Sequence, residues 1–303
     1  MNLVLTGSLG HIGRPLTGEL VQRGHNVTVV SRKPERKGEI EALGAKAAIG
    51  TLEDLTFVSA VFQGADAVFI LIAPNGFTDP QIDVKAKFRQ IGENCIDAIE
   101  ASGVRRVVYQ SSFGADLDSG TGPLLLHHAM EERLNRLREV AITIMRPTGF
   151  HDTLYNFIPT IKLRGVIAAD YGEDDKVEWV SPRDIATAAA EELEALYSGG
   201  ANAGARKVRY VCSDELTCNQ TARILGEAIG KPDLKWVRLP GEQVKERMVA
   251  AGMKPSFADE FVEMNATYRS GRLAEDYYRH RPVLGQVKMA DFAKEFAAAY
   301  NRI

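Results

Sequence analysis

Long apolar stretches are missing from this chain of 303 residues; the longest uninterrupted one, Ala67–Ala73, has seven. A membrane-spanning helix needs about 20, so none is expected. Cysteine is scarce: Cys95, Cys212 and Cys218 are odd in number and form no C-x-x-C pair. That excludes a disulfide framework and a thiolate zinc site, and no metal site is expected. Neither sign of charge dominates, because 37 Lys and Arg stand against 40 Asp and Glu for a net charge of −3. The chain therefore lacks the basic footprint that direct contact with nucleic acid or an anionic membrane requires. Met1–Gly7 has no basic flank leading into an apolar segment, so it is not a signal peptide. The glycosylation-like triplets at Asn26, Asn219 and Asn265 are then coincidental, and a reducing cytoplasm is the expected location. What remains is ordinary globular composition, 45% hydrophobic and 25% charged, long enough for two domains or one large α/β unit with an appendage.

Short apolar runs alternate with amphipathic stretches from the first residue. Asn2–Thr6, Val27–Val30, Lys46–Ile49, Ala67–Ile72, Arg106–Gln110 and Ala141–Met145 read as strands. Arg14–Arg23, Leu52–Phe62, Pro80–Ala101 and Pro123–Arg138 read as the helices between them. Strands that are nearly continuous apolar runs suit a parallel sheet covered on both faces. The fold class is α/β, a doubly wound parallel sheet of the Rossmann type. After Pro147 the rhythm changes. Helices are expected over Thr153–Leu163, Arg183–Leu196 and Asp291–Tyr300, with strands at Val177–Val180 and Val208–Cys212. The expected division is a nucleotide-binding domain over 1–150, with 177–213 returning to its sheet. Residues 151–176 and 214–303 then form a smaller, mainly helical substrate lobe.

Between the first strand and first helix lies Thr6-Gly7-Ser8-Leu9-Gly10-His11-Ile12-Gly13, with glycines spaced G-x-x-G-x-x-G. Gly7 permits the tight turn off the strand. Gly10 leaves room for backbone N–H groups to approach a diphosphate, and Gly13 allows close packing of helix on sheet. The helix N-terminus adds unpaired donors and partial positive charge. The second strand ends in Ser31-Arg32-Lys33, with no acid before Glu35. A carboxylate there would bind a ribose diol, whereas Arg32, aided by Ser31 and Lys33, suits a 2′-phosphate. The expected cofactor is NADP(H), with NAD(H) as the alternative.

With these motifs in place, the chain resembles the NmrA-like branch of the atypical short-chain dehydrogenases/reductases. The likeness continues through Gly64-Ala-Asp-Ala-Val-Phe69, Gly103-Val-Arg-Arg-Val-Val-Tyr-Gln-Ser-Ser112, His127-His-Ala-Met-Glu131, Ile144-Met-Arg-Pro147 and Val180-Ser-Pro-Arg-Asp-Ile-Ala186. The resemblance implies that Thr51 and Leu52 lie at the adenine, although many relatives carry Asp where Thr51 stands. It also implies that Ala73 and Pro74 lie along the cofactor ribose and that Ser111 and Ser112 face the nicotinamide end. Pro147 and Phe150 would border the cofactor, and for Phe150 core packing is an equal alternative.

Hydride-transferring relatives usually carry Tyr-x-x-x-Lys on the helix after the fifth strand, the Tyr donating a proton. Here His127 takes the Lys position and Pro123 the Tyr position, so the usual acid is missing. His127 lies beside the apolar stripe Leu126, Met130, Leu134 and Leu137. Glu131, one turn on, is expected to orient its imidazole and raise its pKa. Two roles for His127 follow, a proton donor or a structural hydrogen bond. A quinone-like or conjugated carbonyl acceptor tolerates a weak or absent protein acid, because water can protonate a delocalised oxyanion. The expected function is NADPH-dependent reduction of such a small molecule. The alternatives are a non-catalytic redox sensor that signals to a protein partner, and an NAD-dependent sugar-nucleotide epimerase.

Overall fold

The computed structural model describes residues 1–73, 76–198 and 203–302. The chain opens with β1 (Asn2–Leu5), α1 (Gly13–Gln22), β2 (Asn26–Ser31), α2 (Lys37–Ala42), β3 (Lys46–Ile49), α3 (Leu55–Phe62) and β4 (Ala67–Ile70). It continues with α4 (Val84–Ser102), β5 (Arg106–Gln110), α5 (Leu125–Leu134), β6 (Ala141–Pro147), β7 (Gly149–Phe150), α6 (Ile158–Arg164), β8 (Val166–Ala169) and β9 (Lys176–Val180). Next come α7 (Pro182–Ser198), β10 (Arg206–Val211), β11 (Asp214–Thr217), α8 (Cys218–Ala228) and β12 (Lys235–Arg238). Four helices close the chain: α9 (Gly241–Ala250), α10 (Pro255–Arg269), α11 (Glu275–Arg279) and α12 (Met289–Arg302).

The seven-stranded central sheet has the order β10-β6-β5-β4-β1-β2-β3. Strands β1 to β6 pair in parallel, with Leu3 opposite Val27 on one side and Ala67 on the other. Every residue of β4 is buried, as a central strand covered on both faces requires. The strand order reverses between β1 and β4, and in open α/β sheets a crevice forms beyond the carboxyl ends of the strands at such a switch point.

The residues group into two compact units. The first comprises Met1–Ser112, Leu126–Arg146 and Ile185–Arg209. Its core includes Phe62, Val68, Ile70, Phe88 and Ile99, together with the expected stripe of Met130, Leu134 and Leu137. The second comprises Phe113–Leu125, Pro147–Asp184 and Tyr210–Ile303. Its core is built on Trp179, Trp236, Leu154, Phe292 and Phe296, and α8 starts with a capping box between Thr217 and Gln220.

The units depart from the expected division at residue 150. Lys176–Val180 does not return to the central sheet: β9 pairs antiparallel with β11 and parallel with β7 in a separate three-stranded sheet. Of the stretch 177–213, only β10 joins the central sheet as a strand. Short flanking apolar runs carry no record of their pairing partner, and the expectation that β9 returns to the central sheet is therefore overturned. The smaller unit is also less purely helical than expected, since it holds this sheet and the β12–β8 pair. Among the described residues no helix is long and apolar enough to cross a membrane.

Candidate functional site

A cleft of about 290 Å³ opens in the first unit beside the carboxyl ends of β1, β2, β3 and β4. Its floor is the glycine turn, where Gly7, Ser8, Leu9 and Gly10 all line it. Gly7 has φ of +90°, in the region that favours glycine, and an added Cβ would press on the Leu71 side chain. Ser8 follows at φ of 59° despite its side chain. Its hydroxyl donates to Ser31 Oγ at 2.9 Å, tying the turn to the end of β2. Thr6, buried just before the turn, donates to the Leu71 carbonyl and accepts from the Leu71 N–H, so β1 and the segment after β4 are pinned together.

The glycines divide the work. A Cβ on Gly13 would fall 1.9 Å from the Ser8 carbonyl oxygen, so this glycine is demanded by the close approach of α1 to the turn. A Cβ on Gly10 would meet nothing nearer than the Gly7 carbonyl at 3.9 Å. The packing of the chain itself does not require glycine there; the vacant volume lies on the lining of the cleft. That is the shape needed to admit a diphosphate against backbone N–H groups. The N-cap residue of α1 is Ile12, whose side chain makes no capping hydrogen bond.

Ser31, Arg32 and Lys33 line one wall together with Arg36, and the Lys33 N–H donates to Ser31 Oγ at 3.2 Å. Arg36 is paired with Glu39, while neither Arg32 nor Lys33 takes part in an ion pair among the described residues. Both are exposed. Thr51, Leu52 and Glu53 form the next stretch of lining, and Asn94 on α4 fixes it by donating to the Leu52 carbonyl at 2.9 Å. Val30, Leu52, Ile72 and Ile91 supply apolar lining suited to a planar base. Ala73 lines the cleft, while Pro74 lies outside the described residues.

Of the expected nucleotide-binding residues, His11, Ile12 and Gly13 belong to the same turn and helix start but do not line the cleft. Pro147 ends β6, and half-buried Phe150 pairs with Val180; both belong to the second unit. Sequence reasoning missed Arg36, Glu53, Lys87 and Ile91. Lys87 had a signal: it falls between Val84, Phe88 and Ile91 on the stripe by which α4 packs inward.

The expected catalytic group is arranged differently from the expectation. Glu131 does not reach His127. It accepts from Arg146 in a two-pronged pair, at 3.0 Å from Nε and 2.6 Å from the terminal nitrogen, and from Ser111 Oγ at 2.5 Å. All three are buried, so Ser111 is held inside a buried polar network. Arg146 on β6 is thus the preferred partner of Glu131, because a guanidinium matches a carboxylate in two places and an imidazole in one. His127 instead has Tyr109 Oη 2.8 Å from Nδ1 and packs edge-on against Phe88. Burial lowers the His127 pKa to about 4, the reverse of the expected rise, and pushes the Tyr109 phenol well above its ordinary range. Around pH 7 the pair is neutral. Ser112 is half-buried, and neither serine nor His127 lines the cleft.

Comparison with known proteins gives the family and the fold. A family model described as NAD(P)H-binding matches residues 7–195. An NAD(P)H azoreductase of Xenophilus azovorans is 28% identical over 99% of both chains. Among solved structures, an NADPH-dependent quinone oxidoreductase of Escherichia coli in complex with NADPH is similar with a TM-score of 0.77 and 19% identity, covering 97% of this chain and 99% of that one. A triphenylmethane reductase of Citrobacter sp. complexed with NADP(H) gives a TM-score of 0.74 at 18% identity, with 97% and 99% covered. At such identities the two structural likenesses speak for the fold.

Proposed function

The chain belongs to the NAD(P)H-binding family, and from that premise we propose that it is an NmrA-like, NADPH-dependent reductase of a small conjugated acceptor such as a quinone, azo compound or triarylmethane dye. The observation that carries the reading is the open volume at Gly10, between a backbone-lined turn and the exposed cations Arg32 and Lys33. The azoreductase relative supports the acceptor class.

The residues present fit the cofactor. The backbone of Gly7–Gly10 would hold the diphosphate, Ser31, Arg32 and Lys33 the 2′-phosphate, and the apolar lining of Leu52 and Ile91 the adenine. Bound there, NADPH supplies the hydride. The protein's part is to hold, orient and exclude water. Thr6 and the Ser8–Ser31 bond fix the turn before any ligand arrives, which lowers the ordering cost of binding.

No acid of the usual type is assigned. His127 is neutral near pH 7 and its Nδ1 is engaged with Tyr109, and Ser111 is committed to Glu131. Water would therefore donate the proton that the reduced acceptor takes up, which a delocalised quinone-type oxyanion permits. His127 and Ser111 support the end of β5 rather than deliver a proton.

The test is NADPH oxidation by the purified protein across a panel of quinones, azo dyes, triphenylmethane dyes and conjugated carbonyl compounds, alongside calorimetric binding of NADPH. Turnover with at least one class is expected. Tight binding without turnover would replace this reading by the redox-sensing one, and no binding at all would refute both.

A further inference from the structure

The cationic wall of the cleft contains one carboxylate. Glu53 accepts from Lys87 Nζ on α4 at 2.9 Å, and both residues line the cleft with Ser31, Arg32 and Lys33. Thr51 braces the acid: its Oγ1 lies 3.4 Å from Glu53 Oε1 and accepts from the Glu53 N–H at 3.2 Å. The hydrogen bond from Lys87 holds the Glu53 carboxyl below its ordinary range against the opposing effect of burial, with further attraction from Lys87 and Arg32. Glu53 is therefore ionised at neutral pH, and Arg32 stands within its electrostatic reach.

This charge acts differently on the two nicotinamide nucleotides. A 2′-phosphate held by Ser31, Arg32 and Lys33 brings nearly two negative charges into the field of Glu53. A ribose diol in the same place brings none and can donate hydrogen bonds to a carboxylate. Arg32 and Glu53 thus pull selectivity in opposite directions, and Lys87 sets how much of the Glu53 charge is felt.

We propose that Glu53, restrained by Lys87, is a specificity-determining residue that moderates the preference of the cleft for the 2′-phosphorylated nucleotide, so that NADH is accepted beside NADPH in a ratio set by this ion pair. The inference rests on the nucleotide reading given above. The two fail in distinguishable ways.

The experiment is calorimetric titration of the wild-type protein, Glu53→Gln and Lys87→Met with NADPH and with NADH, at low and at high salt. Both side chains are only part-buried, so the variants are expected to fold. Glu53→Gln should tighten NADPH about five-fold, the scale of a partly screened charge acting on a phosphate, and leave NADH unchanged or weaker. Lys87→Met should weaken NADPH about five-fold and NADH less, and both shifts should shrink as salt rises. Weaker NADPH binding by Glu53→Gln, or equal changes for the two nucleotides, overturns the inference, since Glu53 would then serve the part common to both. A wild-type protein that binds neither nucleotide removes the cofactor reading itself, and this one with it.

Discussion

Gly10→Ala is the substitution that best separates folding from ligand binding. The new methyl would have the Gly7 carbonyl at 3.9 Å as its nearest neighbour, an ordinary contact, and Gly10 is not among the glycines with positive φ. Native stability should therefore be unchanged, or rise by up to ~1 kcal/mol because alanine restricts the unfolded chain. The same methyl occupies the volume through which a diphosphate must approach the turn. Losing one N–H bond to a charged group there costs about 1.5–3 kcal/mol, or roughly ten- to more than hundred-fold in Kd. Gly13→Ala makes the contrast, because its Cβ would lie 1.9 Å from the Ser8 carbonyl oxygen. That variant should lose stability and binding together. Urea denaturation without nucleotide and calorimetry with NADPH give the two readouts. A Gly10→Ala protein that binds NADPH as tightly as the wild type would refute the phosphate role of the turn.

Three further outcomes are expected. Arg32→Glu should weaken NADPH at least about ten-fold while changing NADH little, since it replaces a phosphate partner by a repelling charge; equal losses in titrations of the two nucleotides would contradict the assignment. Glu131→Ala removes the two-pronged partner of buried Arg146 and should cost about 3–5 kcal/mol in urea unfolding, whereas the joint replacement Glu131→Leu with Arg146→Met should recover much of it; a joint loss as large as the sum would argue against a coupled pair. Acid should destabilise the protein through His127 and His151, because burial lowers each folded pKa to about 4 while the unfolded chain titrates near 6.5. The stability that each contributes is complete above about pH 6.5 and is lost as the pH falls towards 4, ~3 kcal/mol per group at most. His151, 1% exposed with both ring nitrogens unpartnered and its ring against Phe292, is the clean case. His151→Leu should be at least as stable as the wild type at pH 7, with a flatter acid limb in denaturation curves; an unchanged limb would show that His151 titrates alike in the folded and unfolded chain.

How far the sequence carried depends on whether its signals were local. Lys46–Ile49 and Arg106–Gln110 emerge with their expected bounds; the second is a buried parallel strand written as an apolar run, whereas the first is an edge strand with no buried residue. Helix starts were read too early where a capping carboxylate was passed over. Asp54 accepts from the Phe57 N–H and Asp83 from the Ala86 N–H, so the helices begin at Leu55 and Val84, not at Leu52 and Pro80. The glycine turn and the Ser31–Lys33 wall were legible because motif and position coincide in one β1–α1–β2 unit. The Glu131–Arg146–Ser111 network was not, since it joins residues from three elements and depends on which partner best satisfies a buried carboxylate. The same holds for Glu53 and Lys87, whose meeting depends on the packing of α4 beside the segment after β3.

Six alternating segments make up the two units, so the chain passes from one to the other five times. Neither unit can be cut free by a single break in the backbone. A fragment stopping at residue 150 would lack Ile185–Arg209 and with it most of β10, exposing the flank of β6 as a row of unanswered N–H and carbonyl groups. On the ribosome the same layout delays closure of the central sheet until its last strand emerges, some sixty residues after the neighbour it must join. Until then the nascent protein carries an open sheet margin, a natural point of engagement for chaperones.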